Sequence, residues 1–284
     1  MHLTHAVVVV VFVMQASCAQ FVVQQVGNVV ENVLQEYGNT VESSMNGTKN
    51  TQATPYWYET ITHRGISAFG PAGYQVFRNV KDYGAKGILW PLVYSFSKSN
   101  RNIGDGVTDD TAAINAAMSA GGRCGQGCAS STVTPAVVYF PSGTYLLSSS
   151  IIDQYYTQII GNPNSLPVLK ATPGFTGFGL IDGDRYYTEN LNWGSTNVFW
   201  RQVRNLVFDM TSVPISSSLS GIHWPTAQAT SLQNLIFQMS PAAGTEHVGI
   251  FCESGTYQEL KILIFYPKKR VHTEAKTLCC LLQP

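Results

Sequence analysis

Two stretches of this chain limit what it can fold into. Gly104 to Asn115 reads GDGVTDDTAAIN, and Val137 to Ile151 reads VVYFPSGTYLLSSSI. In the first, Thr108, Asp109 and Asp110 can accept the amide protons that the opening turn of a helix leaves unpaired, and the alanines and isoleucine that follow carry the helix. The second is a buried apolar run, a turn at Pro141 to Gly143 and another run of strand formers, so the chain steps directly from one short strand to the next. Short strands in close succession after a helix predict a stack of strands whose open first edge the helix covers.

An internal echo agrees. Asn205-Leu206-Val207-Phe208-Asp209-Met210 returns 29 residues later as Asn234-Leu235-Ile236-Phe237-Gln238-Met239, and Leu263-Ile264-Phe265 is a partial third copy without the Asn. Stacked coils need this, because like side chains then superpose from coil to coil and fill one continuous core. Two amphipathic strands of a sandwich would also fit the pair taken alone. The order of capping helix and short strands resembles the entrance to a right-handed parallel β-helix of the pectate lyase superfamily, so the expected fold class is all-β, a right-handed parallel β-helix with a short N-terminal capping helix.

Charge excludes several functions. Acidic and basic residues balance at 17 each and together make only 12% of the chain, so there is no basic field for nucleic acid. The run from Ala6 to Met14 ahead of Ala16, Ser17, Cys18 and Ala19 is too short to span a bilayer and reads as a secretory signal cleaved after Ala19, with a buried N-terminal strand as the alternative. Export predicts oxidised cysteines, and CGQGC places Cys124 and Cys128 in a glycine-rich loop that can bend to close a disulfide; a zinc site would need further ligands nearby. Cys252, Cys279 and Cys280 leave an odd count. Asn46-Gly47-Thr48 is a glycosylation sequon in a polar stretch, and residues 20–55 read as a pro-segment or flexible arm.

The aromatic segment from Tyr56 to Gln75 reads as an ordered, irregular stretch lying against the body. Among acids, Asp109 and Asp110 read as helix-start charges, and Asp182 and Asp184 around Gly183 as a turn, with a general acid as the sharper alternative. Trp193, Trp200, Trp224, Tyr186 and Tyr187 can each fill a β core or offer a flat face to a sugar ring; Trp224, beside His223 and Gln228, is the candidate for a groove. His223 reads as a hydrogen-bonded structural residue. No spaced set of acids marks a metal loop, and no cofactor is expected.

From Tyr56 to about Glu253 the chain resembles the family 55 glycoside hydrolases, exo-β-1,3-glucanases or laminarinases with a pectate-lyase-like β-helix. The motifs that carry the resemblance are YWYETITHRGISAFGP, VFRNVKDYGAKG, GDGVTDDTAAINAA, GGRCGQGC, PAVVYFPSGTYLLSSSI, NWGSTNVFWRQVRNLVFDM and GIHWPTAQATSLQNLIFQMS. The resemblance implies two β-helical domains in one long chain, with β-1,3-glucan cut in the groove between them with inversion. Inversion takes one carboxylic acid and a water held on the opposite face. In the family the N-terminal β-helix positions that water through a Gln matching Gln228, whose amide carbonyl can orient it. Trp224 and Gln202 are the candidate substrate-binding residues. A partner Ser in a Gly-Ser-Gly-Gly stretch has Ser254-Gly255-Thr256-Tyr257 at its place here. The acid belongs to the C-terminal half of family members, so this chain is expected to be the first half of such a protein, a monomer, without the proton donor.

Two stretches depart from the family pattern. Residues 88–104 stand between Gly87 and Asp105, which the pattern makes neighbours; beyond Glu253 the resemblance fails again, leaving 256–284 as an atypical tail in which residues 266–284 show neither strand alternation nor family motifs. Both read as translated introns or a frame error. Three rival classes remain: a non-catalytic glucan-binding module, a trimeric fibre or adhesin, and a lyase, which would need a basic cluster beside a uronate.

Overall fold

The computed structural model describes residues 56–87, 108–226, 228–253, 258–266, 271–274 and 280–282. The signal segment, the arm, Asn46 and the 88–104 insertion lie outside the described residues. The chain divides into a unit Met1–Thr54 and a unit Pro55–Pro284, and the second is described below.

Helix α1 (Trp57–Thr60) and strand β1 (Phe77–Asn79) precede helix α2 (Thr111–Ser119). Eleven strands follow: β2 (Ala136–Phe140), β3 (Thr144–Ile152), β4 (Thr157–Gly161), β5 (Val168–Asp182), β6 (Gln202–Asp209), β7 (Ser220–His223), β8 (Thr230–Gln238), β9 (Val248–Glu253), β10 (Gln258–Tyr266), β11 (Val271–Glu274) and β12 (Cys280–Leu282). All of their ladders are parallel.

The pairings resolve into three faces. On the first, Val138, Ile159, Val203 and Leu232 lie in register through β2, β4, β6 and β8. On the second, Tyr145, Leu169, Phe208 and Phe237 do so through β3, β5, β6 and β8. On the third, Ile151, Ile181, Ile222 and Ile250 run through β3, β5, β7 and β9. All twelve side chains are fully buried. Each coil therefore contributes one inward side chain per face to a shared core, worth about 1.5–3 kcal/mol apiece on burial. This is a parallel β-helix, as the fold class expected. Phe208 and Phe237 occupy adjacent coils with rings 4.9 Å apart and 11° from parallel. The partial third copy is in register too, Phe265 pairing with Phe237, so the strand order runs past Glu253 through β10.

The asparagines of the echo turn the corner between the first two faces. Asn205 and Asn234 have φ of 61° and 51°, a left-handed conformation that Asn tolerates better than other residues with side chains. The Asn234 amide donates to Asn205 Oδ1 at 2.9 Å, and the Asn205 amide donates to the Gly161 carbonyl at 3.2 Å. Ile262 takes the corresponding place in β10.

Helix α2 closes the first edge, with Ile114, Ala117 and Met118 buried in the core. Its capping differs from the expected pattern. Asp109 accepts from the Thr111 amide at 3.0 Å, whereas the Asp110 carboxylate turns away to accept from the amides of Lys86 at 2.6 Å and Leu146 at 3.2 Å. Asp110 thus ties the helix to the first coil. The aromatic N-terminal segment lies on the first face as expected: Tyr139 donates to Glu59 Oε1 at 2.7 Å, and His63 stacks on Phe77 at 3.4 Å.

Candidate carbohydrate site

The loops that leave the third face and return to the first gather at one corner. The Cys124–Cys128 disulfide is formed there, with Cα atoms 5.3 Å apart. It shapes a loop pinned to its neighbours: the Tyr155 amide donates to the Cys124 carbonyl, the Trp193 indole to the Cys128 carbonyl at 2.8 Å, and the Asn192 amide to the Gly125 carbonyl. Arg201, fully buried, lies over the Trp193 ring at 5.1 Å and pairs with Asp153 at 3.4 Å. Burial raises the Asp153 carboxyl, against the pull of Arg201.

Asp184 takes the turn role read for the pair, and Asp182 faces His223. Asp184 is fully buried and accepts from the amides of Trp193 at 3.1 Å and Gly194 at 3.0 Å, closing the long loop after β5. Desolvation raises its carboxyl despite those donors. Gly183 between them packs so close to β7 that a side-chain carbon would stand 2.6 Å from the His223 carbonyl. Asp182 points outward from the end of β5, in register with His223.

His223 has a carboxylate at each ring nitrogen. Nδ1 lies 2.9 Å from Asp182 Oδ1, and Nε2 lies 3.1 Å from Glu253 Oε2. The Tyr186 hydroxyl donates to the other oxygen of Glu253. Three successive coils therefore supply one polar row. Around it stand Phe178, whose ring is 4.5 Å from the imidazole, Tyr186, stacked on it at 5.9 Å, and Phe251 at 5.8 Å.

The residues singled out in the sequence fall at several depths. Gln228 is exposed on the loop between β7 and β8, next to Ala229, which takes a φ of 58°. Trp224, the residue after β7, is fully buried in the core and offers no face to solvent. Gln202 is half-buried at the start of β6, in register with Gln158 and Ser231. Trp200 and Tyr187 reach solvent. Among the described residues no group of three or more His, Cys, Asp or Glu gathers as a metal site.

The sequence pattern of the family described as Rhamnogalacturonase A/epimerase, pectate lyase-like, matches residues 102–267. The chain belongs to this family. Its relatives sharpen the placement. It is 48% identical over 223 residues to a probable glucan endo-1,3-beta-glucosidase of Arthroderma benhamiae, covering 77% of this chain and 23% of that protein. It is 47% identical over 205 residues to a glucan 1,3-beta-glucosidase of Cochliobolus carbonum, covering 71% and 24%. A third relative, 47% identical over 210 residues, is named non-secreted LysM effector LysM15 of Penicillium expansum, with 74% and 14% covered. The resemblance to family 55 glucanases with a pectate-lyase-like domain is borne out. The chain spans a quarter or less of the length of these relatives.

Proposed function

We propose that this chain is a secreted carbohydrate-active protein that holds β-1,3-glucan against the corner after its third face and forms one wall of a hydrolytic cleft. The observation that carries the reading is the 48% identity over 223 residues to a protein named as a probable glucan endo-1,3-beta-glucosidase, beside 47% over 205 residues to one named as a glucan 1,3-beta-glucosidase. Within it, Gln228 orients the attacking water through its amide oxygen, a task suited to an exposed amide on a loop anchored by two strands. Gln202, on the neighbouring coil edge, donates to sugar hydroxyls. The general acid that inversion requires is not assigned to any residue here; it belongs to the part of family members beyond this match.

Two assays test this. Laminarin incubated with the purified chain separates the enzyme from a binding module: binding without glucose release supports the reading, and absence of binding overturns it. Supplying the C-terminal half of a family 55 member in trans should restore glucose release, and Gln228→Ala should reduce that restored rate by about 10²-fold, the scale of a lost positioning group in general acid–base catalysis. Export is checked by expression in a fungal host, where the culture medium should contain a chain beginning at Gln20 and shortened on gels by endoglycosidase treatment at Asn46.

A further inference from the structure

The outer face of the third sheet carries a polar row that strand alternation should leave wet. Ile181, Ile222 and Ile250 point inward along β5, β7 and β9, so Asp182, His223 and Phe251 belong to the outside. Yet His223 is fully buried and Asp182 nearly so. What covers them is aromatic: Phe178, Tyr186 and Phe251 stand around the imidazole, and the first two remain open to solvent at 41% and 38%. Glu253, with 25% of its side chain exposed, is the charged end of the row that reaches the surface.

The hydrogen bonding fixes the position of that end. His223 meets a carboxylate oxygen at both ring nitrogens, Asp182 on one side and Glu253 on the other. Tyr186 donates to the remaining Glu253 oxygen. Both Glu253 oxygens are thereby tethered, one to His223 and one to Tyr186, and a carboxylate oxygen can accept a second hydrogen bond. A fixed carboxylate beside solvent-facing aromatic rings is suited to a neutral sugar, whose hydroxyls donate in pairs and whose C–H faces are apolar.

We propose that Glu253, Phe178 and Tyr186 form a glucosyl-binding subsite on the third face, with Asp182 and His223 as positioning residues beneath it. Glu253 accepts two sugar hydroxyls, and the Phe178 ring lies against the sugar's C–H face. The subsite deepens the β-1,3-glucan reading and rests on it.

Affinity electrophoresis of the full 284-residue chain in gels with and without laminarin tests the subsite. Glu253→Gln and Phe178→Ala should each raise the apparent Kd for laminarin about tenfold, while Tyr186→Phe, which keeps the ring and loses one donor to Glu253, should raise it less. Phe178→Ala truncates a ring that is 41% exposed and lies outside the continuous core, so it reports even where Glu253→Gln does not fold. A wild type retarded by laminarin alongside Phe178→Ala retarded equally overturns the subsite and leaves the glucan reading standing. A wild type that laminarin does not retard overturns both.

Discussion

Asn234 concentrates at one position the demands of a coil corner. It holds a left-handed backbone and donates its amide to Asn205 on the coil before. Asn234→Ala should cost about 1–2 kcal/mol for the conformation and about 1 kcal/mol for the bond, whereas Asn234→Gly should lose mainly the bond; urea denaturation of the three proteins measures the difference. Arg201 presents the opposite situation, a charge fully buried against an equally buried Asp153. Arg201→Met should cost about 3–5 kcal/mol because it strands a buried carboxylate, and adding Asp153→Asn should recover part of that loss. Asp184 gives a pH signature. Desolvation holds its carboxyl above the usual range in the folded state, so its contribution is greatest at low pH and is lost as pH rises through the folded value. The melting-temperature gap between wild type and Asp184→Asn should therefore be wider at pH 4 than at pH 7, and a gap that widens toward pH 7 would contradict the burial argument.

At the scale of elements, the strands were legible where coils are regular and obscure where loops vary. The helix start at Thr111, the turn at Pro141 to Gly143 and the Phe208/Phe237 pairing could all be read from local residue types and a constant repeat. The Asp182–His223–Glu253 row could not. Asp182 and His223 stand 41 residues apart and His223 and Glu253 only 30, because the loop after β5 is long, so no fixed period brings them together. The signal was the outward phase of three strands that all lead into the same corner. Trp224 illustrates the converse: it comes two residues after the inward Ile222 and keeps its phase, so the indole enters the core although the sequence around it reads as a polar loop. Strand β10 showed only through the partial copy at Leu263 to Phe265, and β11 and β12 were hidden, since a preformed parallel edge pairs sequences whose own alternation is weak. The small disulfide ring acts at this same scale. Closing so short a loop stabilises by about 2 kcal/mol in the chain-entropy model, and the pinned carbonyls of Cys124 and Cys128 tie that ring to Tyr155 and Trp193. Replacing both cysteines by serine should lower the melting temperature by several degrees and speed proteolysis within 120–132, read by mass spectrometry of the fragments.

Within the unit from Pro55, the three ladders of buried side chains make one continuous core and leave the corners free to carry function. Under the proposed function, activity depends on what the third-face corner presents: an exposed Gln228, a Glu253 held by His223 and Tyr186, and the solvent-reaching Phe178 ring, on a chain similar to part of proteins named as a probable glucan endo-1,3-beta-glucosidase and a glucan 1,3-beta-glucosidase. The charge balance and the scarcity of ionic groups suit a neutral polymer. The most direct test is calorimetric titration of the purified chain with a β-1,3-linked glucose oligomer and, in parallel, with an α-1,4-linked one of equal length. The account predicts saturable heat with the first and none with the second; equal heats, or no heat with either, would contradict it.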